Sequence, residues 1–109
     1  MGLNRVTPRP YPGRMELEFS GEVRYWRGPA PYHFVGVPAR ESAALKAAAA
    51  AVTYGWGMIP VAARVGDTRW TTSLFPKDGR YLVPLRDAVR RAEEIEPGEV
   101  VTVHLTVGG

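Results

Sequence analysis

The chain has no cysteine among its 109 residues. That absence excludes a disulfide framework, a thiolate metal site and a thiol nucleophile, and it leaves packing alone to hold the fold. Histidine is nearly as scarce. His33 and His104 lie far apart, with no acid at a ligand spacing beside either, so neither a metal nor a cofactor is expected. No apolar run approaches the ~20 residues of a membrane span, and the polar, Pro-rich start lacks the basic-then-apolar pattern of a leader. A cytoplasmic protein without a membrane partner is the reading.

Acid is missing from the first segment of the chain. Residues 1–14 carry Arg5, Arg9 and Arg14 and no Asp or Glu, so the formal net charge of +3 belongs to them and the body from Met15 onward is neutral. Arg outnumbers Lys, which favours bidentate contacts to phosphate or carboxylate. A GC-rich genome produces the same bias.

What is present is a series of short strand signals. In residues 1–14, Pro8, Pro10 and Pro12 among Arg and Gly bury little and hydrogen-bond poorly, and a disordered tail is expected. Residues 15–109 then form one domain. From Met15 to Tyr25, apolar Met15, Leu17, Phe19, Val23 and Tyr25 alternate with Glu16, Glu18, Ser20, Glu22 and Arg24, the period of a half-buried strand. Gly21 interrupts the apolar face and marks a bulge or bend. Tyr32–Val37 reads as a second strand, closed by Pro38. Ala39–Tyr54 reads as a helix, stopped by Gly55.

Met58–Val65 and Arg69–Leu74 are strands joined through Gly66-Asp67, a dipeptide suited to a tight hairpin. Pro76-Lys77-Asp78-Gly79 is a turn, and Tyr81–Val83 a short strand. Pro84 fits at or just before the first turn of a second helix, from Leu85 to about Glu94. Asp87–Arg91 and Arg90–Glu94 stand at pairing distance on its surface. Pro97-Gly98 ends it, and Glu99–Val107 is the closing strand. The order β-β-α-β-β-β-α-β, with no long strand, predicts a mainly-β fold: a small barrel whose open ends the helices cap.

Candidate functional residues are few. Lys77, Arg80, Arg86 and Arg90 could converge as an anion-binding patch near the start of the second helix, where backbone N–H groups also favour anions. Pairing with Asp87, Glu93 and Glu94 favours instead a solvated helix face plus a turn. Among the bulky aromatics Trp26, Trp56, Trp70, Phe75 and Tyr81, most are expected to fill the interior. Trp56 is the exception, because Gly55 and Gly57 let the backbone approach a ligand closely. Ser73 lies in no nucleophile-elbow motif and has only His33 and His104 as possible bases, so no catalytic residue is assigned. The row Glu16, Glu18 and Glu22 reads as a solvated outer face.

Two stretches carry a family resemblance: GWGMIPVAARVG at Gly55–Gly66 and WTTSLFPKDGRYLVPLRDAVRRAEEIEPGEVVTVHLTV at Trp70–Val107. With Phe19-Ser20-Gly21 and the Tyr32–Pro38 segment, they resemble the bacterial and archaeal domain of unknown function DUF1905. The resemblance covers nearly everything after residue 14. It implies a closed six-stranded Greek-key barrel, distantly like the double-psi barrels, with no established activity. Relatives sometimes stand beside a second domain linked to bacteriocin protection. Asp78-Gly79-Arg80-Tyr81, Val83-Pro84-Leu85-Arg86, Val89-Arg90 and Ile95–Val101 follow an order similar to the AbrB-type swapped-hairpin transcription regulators. Those act as dimers of half-barrels, whereas this chain has enough strands to close alone.

The leading functional expectation is therefore a non-enzymatic binding module, monomeric or weakly dimeric. It would receive an anionic or aromatic small molecule or a protein partner through Trp56, Trp70, Ser73, Lys77, Arg80, Arg86 and Arg90. The alternative is weak nucleic-acid binding, helped by the basic first segment. An enzyme of unknown type ranks third.

Overall fold

The computed structural model describes residues 5–8, 15–49 and 57–108. Its elements are strands β1 (Arg5–Pro8), β2 (Met15–Trp26) and β3 (Tyr32–Gly36), helix α1 (Ala39–Ala49), strands β4 (Ile59–Val65), β5 (Thr68–Lys77) and β6 (Arg80–Leu85), helix α2 (Asp87–Ala92) and strand β7 (Val100–Val107). The spatial order β2-β3-β6-β5-β4-β7 returns to β2 through a ladder from Met15↔Val107 to Glu22↔Val100. Every ladder is antiparallel, so six strands of one chain close a barrel. β4, β5 and β6 follow one another as hairpins, and β7 comes back beside β4, which is the Greek-key connection. The ring closes within one chain, with no half left for a second copy to supply.

Alternation sets the core. Leu17, Phe19 and Val23 on β2, Val61, Ala63 and Val65 on β4, and Val103, Leu105 and Val107 on β7 point inward and are buried. β2 pairs with β7 along Met15–Glu22 and with β3 along Val23–Trp26. A Cβ at Gly21 would lie 2.7 Å from Val35 Cγ1, so only glycine lets β3 come that close. α1 covers one end of the barrel, burying Leu45 and tying Ser42 Oγ to the Val37 carbonyl at 3.0 Å. α2 covers the other with Val89, and the Ile95 that follows it is buried as well.

One seam of the barrel is splayed. β5 pairs with β6 only from Phe75↔Leu82 to Lys77↔Arg80, while its earlier residues pair with β4. Two side chains bridge the gap: Trp70 Nε1 donates to the Pro84 carbonyl at 3.3 Å, and Arg86 Nη2 donates to the Thr71 carbonyl at 3.0 Å. Pro84 is thus a strand residue opposite Phe34, not a helix-opening one, and its missing N–H falls where no ladder bond is available.

Several expectations are corrected. The disordered reading of residues 1–14 does not hold at Arg5–Pro8, which pair antiparallel with Met15–Glu18 as an edge strand, a place that tolerates proline. The second helix begins at Asp87, not Leu85, because Leu85 is still in register with His33. Its surface pairing also differs: Arg90 meets Asp87 at 3.3 Å, one turn back, because Glu94 has left the helix in a left-handed conformation. The expected helix residues beyond Ala49 and the Gly55 stop lie outside the described residues.

Candidate functional site

Two hairpins frame a cleft on the surface of the barrel. In the first, β2 and β3 pair from Val23↔Val35 to Trp26↔Tyr32, which sends Arg24, Trp26, Tyr32, Phe34 and Gly36 to the outer face. In the second, β5 and β6 close at Lys77↔Arg80 across Asp78-Gly79, both with positive φ (52° and 79°). Such a turn matches the twist of its strands, and glycine at the second position carries it without strain. It projects Lys77 and Arg80 from the hairpin tip.

Between the hairpins lies a cleft of about 660 Å³. Its floor is open at Gly36, where a Cβ would meet nothing within 4 Å. Phe34 forms one wall and makes a tilted ring contact with Tyr32 at 5.6 Å. Arg24, Lys77 and Arg80 line it as cations against Glu22 and Asp78 as acids, an excess of one positive charge. Arg24 is partly engaged with Glu22 at 3.8 Å, and both are well exposed. The Lys77 ammonium stands 5.1 Å from the centre of the Trp26 ring, a cation–π contact between the two hairpins. Trp26 is nonetheless 44% exposed and Phe75 40%. These two aromatics therefore do not fill the interior as expected, because both project from the outer side of their strands.

The sequence-selected residues separate into groups. Lys77 and Arg80 share the cleft. Arg86 and Ser73 lie on a broad open groove over the outer face of β4 and β5. Arg90 is turned into the α2 end of the barrel, its Nη1 on the Ile95 carbonyl at 3.4 Å. The four cations do not converge, since β6 runs from Arg80 to Leu85 and spans roughly 17 Å between the two pairs. Trp70 packs against the core and Trp56 lies outside the described residues. Ser73 and His104 sit on different strands about four residues apart along the ladder, roughly 13 Å, so they form no catalytic pair.

His33 stands near Arg90 at the α2 end, its ring 4.5 Å from Tyr25. Burial, and then the Arg90 charge, holds its imidazole below the usual histidine range, against smaller opposing effects of Asp87 and Glu96. The residues missed by sequence reasoning are Trp26, Phe34 and Gly36. A glycine inside the strand YHFVG was the available signal, since glycine in a strand marks a close approach or a hollow.

A search of curated proteins found no match. The family model for Domain of unknown function (DUF1905) matches residues 19–105. That span reaches from Phe19 on β2 to Leu105 on β7, taking in the cleft, both helices and parts or all of the six barrel strands. With its closed six-stranded barrel and a match over most of its length, the chain belongs to the family Domain of unknown function (DUF1905).

Proposed function

We propose that this domain is a binding module whose site is the cleft between the β2–β3 and β5–β6 hairpins, and that it takes a small anion carrying an aromatic or planar apolar part. The open floor at Gly36 is the observation that carries this reading. A strand position with room for a side chain gains packing and loses backbone entropy cost if it is anything but glycine. Here the empty position lies beside an aromatic wall and beneath Lys77 and Arg80. Small-molecule sites combine concavity, apolar lining and a few placed polar groups in this way. The ring of the ligand would lie against Phe34 over Gly36, with its carboxylate or phosphate toward Arg80 and Lys77.

Gly36→Val tests it directly. The added side chain enters open space in extended backbone, so the fold should be retained and stabilised by about 0.5 kcal/mol. A panel of aromatic acids and mononucleotides at millimolar concentration is then scanned by thermal shift. At least one compound should raise the melting temperature of the wild-type domain and leave the variant unmoved. No shift across the panel, or equal shifts in both proteins, would overturn the reading.

A further inference from the structure

A cationic patch lies on the outer face of β4, β5 and β7. Register places four side chains in one transverse row: Glu18↔His104, His104↔Arg64 and Arg64↔Arg69. In one half of the row Glu18 Oε2 lies 3.4 Å from His104 Nε2. The other half sets two arginines directly opposite each other, and like charges at that position destabilise a sheet. The next row, Thr106↔Ala62↔Thr71, places only a methyl group between two hydroxyls and leaves a hollow. Arg86 reaches the same place from across the seam, held by the Thr71 carbonyl. Thr71 is about 7 Å along the strand from Arg69 on the same face. The groove that holds Arg86, Thr71 and Ser73 shares Ala62 and Thr106 with the hollow beneath Arg64 and Arg69.

Three guanidinium groups therefore border two adjoining depressions that meet at Ala62 and Thr106. Arg64 gives one bond to the Gly66 carbonyl, Arg86 one to Thr71, and among the described residues none of the three has an ion-pair partner. Glu16 lines the far, β2 side of the depression that Arg64 and Arg69 border, so the charge grades from acid on β2 to cation on β5.

We infer that this face binds phosphate, received between Arg64, Arg69 and Arg86 over Ala62. A guanidinium fork matches two oxygens of a phosphate, and a multiply charged anion relieves the repulsion between Arg64 and Arg69 that the bare sheet carries. The site is distinct from the Gly36 cleft, so each can fail without the other.

The arginine Nε–Hε signals report on it in NMR titrations at low ionic strength. Pyrophosphate and a short single-stranded oligonucleotide offer the same chemistry from two sources. Saturable shifts of Arg64, Arg69 and Arg86 with pyrophosphate support a discrete phosphorylated ligand, and shifts with the oligonucleotide alone support a phosphate backbone as its source. Arg69→Gln should weaken either at least tenfold, Arg69→Lys should fail to restore it, and Arg91→Gln, an exposed cation on α2, should leave it unchanged. Without ligand, Arg69→Gln should raise the melting temperature by removing the like-charge pair. Wild-type titrations that move no arginine signal, or an Arg69→Gln protein that titrates like the wild type, would overturn the inference.

Discussion

Glu94 occupies a left-handed conformation, φ 53°, immediately after α2. It does so because the helix ends in a Schellman arrangement: the Ile95 N–H bonds the Arg90 carbonyl at 2.8 Å and the Glu94 N–H the Arg91 carbonyl at 3.3 Å. An L-residue there costs about 1–2 kcal/mol, part of which glycine recovers. Glu94→Gly should stabilise the domain by about 0.5–1 kcal/mol in urea denaturation. His33 acts in the opposite sense as pH falls. Its folded pKa lies below its unfolded one, so between the two values the unfolded chain binds more protons and stability declines with acidification. Comparing denaturation midpoints at about pH 7.5 and about pH 5.5, His33→Gln should show a smaller loss than the wild type. An equal loss would show that other groups carry the acid sensitivity.

At the scale of elements, α2 is too short to persist without its anchors. Glu93 supplies one, receiving the Thr68 hydroxyl at 2.6 Å and the Asp67 N–H at 3.3 Å, so the helix end is fastened to the β4–β5 hairpin. Gly66 is required there twice over, by its φ of 57° and because a Cβ would overlap the Glu93 carboxylate. Thr68→Val should cost about 1 kcal/mol in equilibrium unfolding, with faster amide exchange concentrated in α2. The strands were legible because alternation along Met15–Tyr25 and Glu99–Val107 is a local property of the chain. The hairpin turns were legible too, because Gly66-Asp67 and Asp78-Gly79 carry the left-handed backbone such turns need. The edge strand Arg5–Pro8 was not, since its pairing depends on β2 having an open edge. The start of α2 was misplaced because Leu85 suits either a helix face or a strand facing the core, and only its alignment with His33 decides.

For the whole molecule, barrel closure determines which residues meet. Lys77 and Arg86 are close in sequence but occupy separate surfaces, while Lys77 and Trp26, distant in sequence, come together between the two hairpins. The candidate site was therefore half legible: its cations could be chosen by type, but their aromatic and glycine partners arrive from β2 and β3 only once the ring is closed. Among the described residues no helix is long and apolar enough to cross a membrane. Closure itself rests on the β2–β7 ladder, where Ser20 Oγ and Thr102 Oγ1 stand 3.0 Å apart. The absence of native cysteine makes a clean test possible. In a Ser20→Cys/Thr102→Cys double variant oxidised at low protein concentration, a barrel sealed by one chain predicts a disulfide within the monomer, with native circular dichroism retained. Covalent dimers, or thiols that stay free in a folded protein, would contradict the closed ring and with it the placement of both proposed sites.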